Sequence, residues 1–164
     1  MTDGAEHAGG TSGLRVVVVD SRTERRHLFR NLVESTGLVG PDIAEAVGAT
    51  EAVEFFEAED CDVAFVEIQP VAEGLETIAV LRQVSSGLRI VVCSFHRDAA
   101  TKEQALARGA DVYLDKPVSS YALTNVLLGF FPDASTTPEA SPEDPSQPVE
   151  PQVPLALGPV RRRS

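Results

Sequence analysis

The sequence predicts an α/β fold in which a parallel β-sheet is covered by helices on both faces. Between residues 14 and 131, short apolar runs alternate five times with segments of helical periodicity. The first run contains four consecutive valines, Val16–Val19, a pattern typical of a strand buried on both faces. Five β–α units joined by right-handed crossovers form a doubly wound sheet.

Each predicted strand is followed by a helix with one apolar face and a recognisable boundary. Strands are expected at residues 14–19, 43–46, 62–68, 89–94 and 111–114. Ser21 and Glu24 have the spacing of a capping box for the first helix, and Thr50 is expected to cap the second. Asp98 begins the fourth helix, which Gly109 ends, and Ser119 or Ser120 is expected to cap the fifth.

Composition divides the chain and excludes several functions. Fourteen Lys and Arg against 25 Asp and Glu give a net charge of −11, which repels phosphate backbones, so we expect no nucleic-acid partner. No apolar run approaches the about 20 residues that cross a bilayer, so no membrane association is expected. The two cysteines fit a reducing compartment, and we expect a cytoplasmic protein.

Proline content divides the chain. Eight of the 11 prolines lie in residues 132–164, so we predict a disordered extension at 1–13, one domain at 14–131 and a disordered tail at 132–164.

Polar residues follow the predicted strands at the edge where such sheets carry their sites. The carboxyl ends of parallel strands meet at one edge, and ligands bind in the crevice outside them. The residues expected there are Asp20, Ser21, Glu67, Ser94, Phe95, Asp115, Lys116 and Pro117.

Four segments, in order and spacing, give the chain a family resemblance. They are VVVVDS at 16–21, CDVAFVEIQPVAEGLET at 61–77, RIVVCSF at 89–95 and GADVYLDKPV at 109–118. Together they resemble a response-regulator receiver domain of the CheY-like type. The resemblance implies a flavodoxin-like (βα)5 sandwich with strand order 2-1-3-4-5. It also implies a bacterial two-component or phosphorelay signalling protein, and not an enzyme.

In that family, two acidic residues after the first strand and an Asp after the third hold Mg²⁺, and the third-strand Asp accepts a phosphoryl group from a phosphohistidine. By resemblance, Asp20 and Ser21 occupy the acidic pair and Glu67 the acceptor position. Ser94 and Tyr113 correspond to the switch residues. Lys116, followed by Pro117, corresponds to the lysine that contacts the phosphoryl oxygens.

The departures from this pattern predict a receiver without phosphoryl chemistry. Glu67 replaces the acceptor Asp and is longer by about 1.5 Å, and transfer is expected to be very slow because a misplacement of about 1 Å can cost about 10²-fold. Ser21 removes one acidic ligand, so we expect no cofactor and at most a weak Mg²⁺ site at Asp20 and Glu67. Phe95 stands where the family has a small residue and is expected to occlude the pocket, while the loop from Glu67 to Gly74 is one residue shorter than usual. We expect Glu67 to pair with Lys116.

The leading hypothesis is therefore a pseudo-receiver that acts by protein–protein interaction, in a sharper form with Glu67 mimicking the phosphorylated state and drawing Ser94 and Tyr113 inward. One alternative is a phosphorylatable receiver with a non-standard acceptor. Another is a small cofactor-binding domain of flavodoxin-like fold, although residues 20–23 contain no glycine-rich phosphate loop.

Partner binding is expected on the face of the fourth helix, fifth strand and fifth helix, which in the family mediates docking and dimers. The residues expected there are Lys102, Arg108, Tyr113 and Tyr121. The expected partner is a histidine kinase, a transcription regulator or a motility or developmental factor, with a homodimer as a further expectation. We expect no disulfide, because Cys61 begins the third strand and Cys93 lies near the end of the fourth.

Overall fold

The computed structural model describes residues 13–134 and shows strict alternation of strands and helices. The strands are β1 (Val16–Val19), β2 (Ala44–Ala46), β3 (Val63–Val66), β4 (Arg89–Ser94) and β5 (Val112–Asp115). The helices are α1 (Thr23–Glu34), α2 (Ala49–Ala58), α3 (Val71–Val84), α4 (Ala99–Arg108) and α5 (Ser120–Phe130). The expected extension at 1–13 and tail at 132–164 lie, apart from their innermost residues, outside the described residues.

The sheet is parallel with the order β2-β1-β3-β4-β5, which confirms the predicted doubly wound fold. Its register aligns the strand ends that matter for the site. Val19 at the end of β1 pairs with Val66 of β3, and Ser94 at the end of β4 pairs with Asp115 of β5. As a result, the residues that follow these strands share one edge of the sheet.

Two apolar layers hold the sheet between its helices. In β1, Val16 and Val18 face one layer while Val17 and Val19 face the other, because successive side chains of a strand point to opposite faces. The first layer contains residues of α1 and α5, and the second contains residues of α2, α3 and α4. All four valines are at most 3% exposed, as expected for a central strand covered on both sides.

Two of the predicted helix caps are wrong, because α1 and α2 both begin without a side-chain cap. The residue before α1 is Arg22, whose N–H donates to Asp20 Oδ1 at 2.8 Å, and Ser21 makes no cap. Thr50 lies inside α2, while the N–H of Val47 donates to the Glu51 carboxylate at 2.8 Å. The predicted cap of α5 by Ser119 is confirmed, and Asp98, the predicted first residue of α4, is its capping residue.

Helix α3 packs against the segment after β3 through a glycine. A Cβ atom placed on Gly74 would lie 2.3 Å from the Cα of Ile68, a separation that no side chain permits. Gly74 therefore allows α3 to approach the backbone directly after Glu67. This contact fixes the shortened loop that the sequence shows between residues 67 and 74.

The two cysteines are free thiols, as expected from the strand register. Pairing of Val63 with Arg89 offsets Cys61 and Cys93 by six positions along the sheet, beyond the reach of a disulfide. Burial raises the pKa of the Cys61 thiol to about 12, and burial also raises the pKa of Cys93. Neither thiol has the lowered pKa of a reactive cysteine.

Candidate functional site

The candidate site is built around an ion pair between Glu67 and Lys116, as predicted. Glu67 follows β3 and Lys116 follows β5, and Lys116 Nζ donates to Glu67 Oε2 at 3.2 Å. The other oxygen, Oε1, accepts a hydrogen bond from the N–H of Ile68 at 2.8 Å. The side chains are only 3% and 13% exposed, so this pair is shielded from water. Both carboxylate oxygens of Glu67 are therefore occupied by partners from within the chain.

Asp20 forms a second ion pair in the same pocket, with a residue that sequence reasoning missed. Arg25 on the first turns of α1 donates to Asp20 with Nε (2.9 Å to Oδ2) and Nη2 (2.8 Å to Oδ1). This bidentate geometry matches the planar guanidinium to the carboxylate and is among the strongest side-chain pairings. The hydrogen bond to Asp20, together with the nearby charge of Glu67, raises the pKa of Arg25 against the opposing effect of burial. Asp20 itself is 4% exposed.

The hydroxyls of Ser94 and Tyr113 both bind the backbone of His96 rather than Glu67. Ser94 Oγ accepts from the His96 N–H at 3.1 Å, and Tyr113 donates to the His96 carbonyl at 2.6 Å. Ser94 is fully buried, and the half-buried Tyr113 ring packs against the layer on the α4 side of the sheet. Burial raises the pKa of the Tyr113 hydroxyl above its ordinary value. The β4–α4 loop is thus held by hydrogen bonds to both the N–H and the carbonyl of His96.

Phe95 does not occlude the pocket, contrary to the expectation from sequence. Its side chain is 59% exposed and lines a neighbouring apolar groove, formed with Leu28, Phe29, Leu32, Pro117 and Val118 beside Arg25 and Lys116. The Lys116 ammonium lies 5.6 Å from the centre of the Phe95 ring and 5.9 Å from that of Phe29. These distances are those of cation–π contacts, so the ammonium interacts with both rings.

Little space remains between these side chains. The cavity lined by Asp20, Phe29, Glu67, Cys93 and Lys116 measures about 10 Å³, room for about one water molecule. Ser21 is exposed at the start of the β1–α1 connection, and the Lys116–Pro117 peptide bond is cis. The two acids that line the cavity, Asp20 and Glu67, are each paired with one cation, Arg25 and Lys116 respectively.

Comparison with known proteins decides the family. A family model described as the response regulator receiver domain matches residues 16–128. The chain belongs to this family. It is 28% identical over 114 residues to a chemotaxis protein CheY from Halobacterium salinarum, an alignment that covers 69% of this chain and 92% of that protein.

Solved receiver structures have the same fold. A CheY-like receiver from Methanospirillum hungatei superposes with a TM-score of 0.62 at 24% identity, covering 72% of this chain and 93% of that one. A response regulator from Burkholderia pseudomallei, solved with a phosphorylated aspartic acid, calcium and citrate, superposes with a TM-score of 0.60 at 25% identity. That match covers 71% of this chain and 66% of the Burkholderia chain.

Within this receiver domain, the surface of α4, β5 and α5 exposes the residues expected to bind partners, but not equally. Tyr121 is 75% exposed, and Leu106 and Arg108 lie exposed on α4. Lys102, by contrast, pairs with Asp115 at 3.2 Å and lies over the Tyr113 ring at 5.7 Å. Tyr121 is therefore the most available large side chain of this face, while Lys102 and Tyr113 are partly used within the domain.

Two contributors to the site were not predicted from the sequence: the Arg25 side chain and the backbone of His96. An arginine five residues after a strand-end acid, on the first turn of the following helix, can reach back to that acid, and this spacing was the available signal for Arg25. No comparable signal exists for His96, since its contribution is made by backbone atoms. Within residues 13–134, no cluster of three or more His, Cys, Asp or Glu side chains has a metal-binding arrangement, and no helix is both long and apolar enough to span a membrane.

Proposed function

We propose that this receiver domain is a protein-binding signalling module that does not accept a phosphoryl group. The observation that carries the proposal is the buried Glu67–Lys116 pair, which occupies the place of the acceptor acid and its lysine. Phosphoryl transfer to a carboxylate requires a free oxygen that can attack in line with the leaving group. In this domain one oxygen of Glu67 holds Lys116 and the other holds the N–H of Ile68.

The neighbouring groups support the same proposal. The pocket offers about 10 Å³, whereas a phosphoryl group would bring three oxygens and additional negative charge. Lys116, the group that would neutralise that charge, is already neutralised by Glu67. The proposed module therefore combines the architecture of a receiver with an ion pair where receivers carry out chemistry, and we expect it to have no enzymatic activity.

We propose that the domain signals by binding other proteins through its surface. The face of α4, β5 and α5, with Tyr121, Leu106 and Arg108 exposed, is the proposed docking site for a signalling partner or a second copy of the domain. Exposed aromatic residues are frequent anchors of protein interfaces. A histidine kinase, a transcription regulator or a motility or developmental factor in the cytoplasm fits this role.

Incubation with acetyl phosphate and Mg²⁺, followed by intact-mass measurement, tests the missing chemistry. We expect no gain of about 80 Da, the mass of one phosphoryl group. A receiver with an aspartate acceptor serves as the positive control in the same buffer. Stoichiometric labelling of this chain would show that it is a working receiver with a non-standard acceptor.

Tyr121→Ala tests the proposed docking surface. We expect the substitution to weaken self-association, or binding to a signalling partner, by at least about ten-fold, because buried aromatic anchors dominate interface energetics. Analytical ultracentrifugation of the full chain measures self-association. Val47→Ala is the matched control, since Val47 is 48% exposed but follows β2 at the opposite edge of the sheet. Equal losses in both variants would contradict an interface centred on α4, β5 and α5.

A further inference from the structure

The divalent cation that the receiver fold implies does not fit the residues of this pocket. Mg²⁺ prefers near-octahedral coordination by oxygen atoms with free lone pairs. Asp20 Oδ1 already accepts from the N–H of Arg22 and from Arg25, and Asp20 Oδ2 accepts from Arg25 Nε, all at 2.8–2.9 Å. Glu67 accepts one hydrogen bond on each oxygen, from Lys116 and from the N–H of Ile68.

Charge balance leads to the same conclusion. Asp20 and Glu67 contribute two negative charges, and Arg25 and Lys116 contribute two positive charges. A divalent ion bound in addition would leave an excess of two positive charges beside these buried side chains. To bind, the ion would have to displace Arg25 from a bidentate pair in which Asp20 is 4% exposed.

We infer that Arg25 takes the place of the divalent cation, so that the pocket is assembled and charge-balanced without metal. Arg25 is a positioning residue: its guanidinium holds Asp20, and Asp20 in turn binds the N–H of Arg22 at the start of α1. Arg26 also stabilises the connection between β1 and α1, because it donates to the Asp20 carbonyl at 2.9 Å. The inference deepens the proposed function, because a module that signals without phosphorylation has no use for the metal that phosphoryl transfer needs.

Thermal unfolding of the full chain with and without about 10 mM Mg²⁺ tests this assignment, with ionic strength matched by NaCl. We expect the midpoint of the wild-type protein to change by less than about 1 °C. In Arg25→Ala, Asp20 becomes free to bind the ion, and we expect Mg²⁺ to raise the midpoint by about 2–5 °C. The rise should vanish in Arg25→Ala combined with Asp20→Asn. Arg25→Lys, which keeps the positive charge, should respond like the wild type.

These variants separate a metal-replacing arginine from a merely structural one. Loss of a structural contact would lower the midpoint equally in both buffers, whereas the inference requires a difference that depends on Mg²⁺. A wild-type midpoint that rises with Mg²⁺ as much as that of Arg25→Ala would overturn the inference, and so would an Arg25→Ala variant that folds but does not respond.

A second measurement remains available if Arg25→Ala does not fold. Mn²⁺, a paramagnetic substitute for Mg²⁺, should leave the amide NMR signals of Val19, Ser21 and Ile68 unbroadened in the wild-type protein. Selective broadening of these signals would overturn the inference on the wild-type chain alone. Either result leaves the acetyl phosphate experiment unaffected, so failure of this inference is distinguishable from failure of the proposed function.

Discussion

Replacing Lys116 with methionine is expected to lower the free energy of unfolding by about 3–5 kcal/mol. The substitution conserves most of the side-chain volume between Phe29 and Phe95 but removes the ammonium that neutralises Glu67. A carboxylate that is 3% exposed then lacks a counter-charge, and a buried unpaired charge is one of the costliest defects in a folded protein. Urea-induced unfolding followed by circular dichroism measures the change.

The double variant Lys116→Met/Glu67→Gln is the control for this prediction. A glutamine at residue 67 has no charge to compensate and retains a carbonyl oxygen that can accept from the N–H of Ile68. We expect it to recover most of the lost stability, since removing both partners of a buried pair is often nearly neutral. A double variant as unstable as Lys116→Met would show that Lys116 acts through packing and not through Glu67.

Restoring the acid pattern of a receiver is expected to produce phosphoryl transfer. In the triple variant Ser21→Asp/Arg25→Ala/Glu67→Asp, the acceptor is shorter by about 1.5 Å and two acids after β1 are free to bind a cation. We expect labelling by acetyl phosphate in Mg²⁺ at least about 10²-fold faster than in the wild-type chain, because the acceptor and the metal ligands would regain productive positions. Intact-mass measurement over time gives the rate.

Glu67→Asp alone is the informative comparison for the triple variant. We expect it to remain close to the wild type, because Arg25 still occupies Asp20. Rapid labelling of the single variant would show that the length of the acid alone prevents transfer. An unlabelled but folded triple variant would place the obstacle elsewhere, for example in the segment that Gly74 holds against Ile68.

The fold was predictable because its signals are local and repeated. Four valines in succession identify β1, and the same strand–helix period recurs five times, so the order of elements and their burial follow from pattern alone. Ser21 and Thr50 are suited to capping by residue type, but α1 and α2 begin at other residues and have no side-chain cap. Asp20 accepts from the N–H of Arg22 and Glu51 accepts from the N–H of Val47, and both N–H groups lie before the first turn of the helix.

The site was predictable only for residues whose positions follow directly from the pairing of the strands. Glu67 and Lys116 follow strands of one parallel sheet, so their proximity follows from the fold. Phe95 was wrongly placed, because the direction of a side chain on a loop depends on how that loop is tied down. Here Ser94 and Tyr113 hold His96 on both sides, and Phe95 turns outward.

The exposed Phe95 ring lies beside the Lys116 ammonium, so its contact with water affects the buried Lys116–Glu67 ion pair. A protein that covers this ring would exclude water from one side of the Lys116 ammonium, lowering the local dielectric and strengthening its attraction to Glu67. Thermodynamic linkage makes this relation reciprocal, so substitutions that weaken the attraction would also reduce the affinity for such a protein. Binding of a protein over Phe95 would thus change the strength of the Lys116–Glu67 ion pair without any covalent modification.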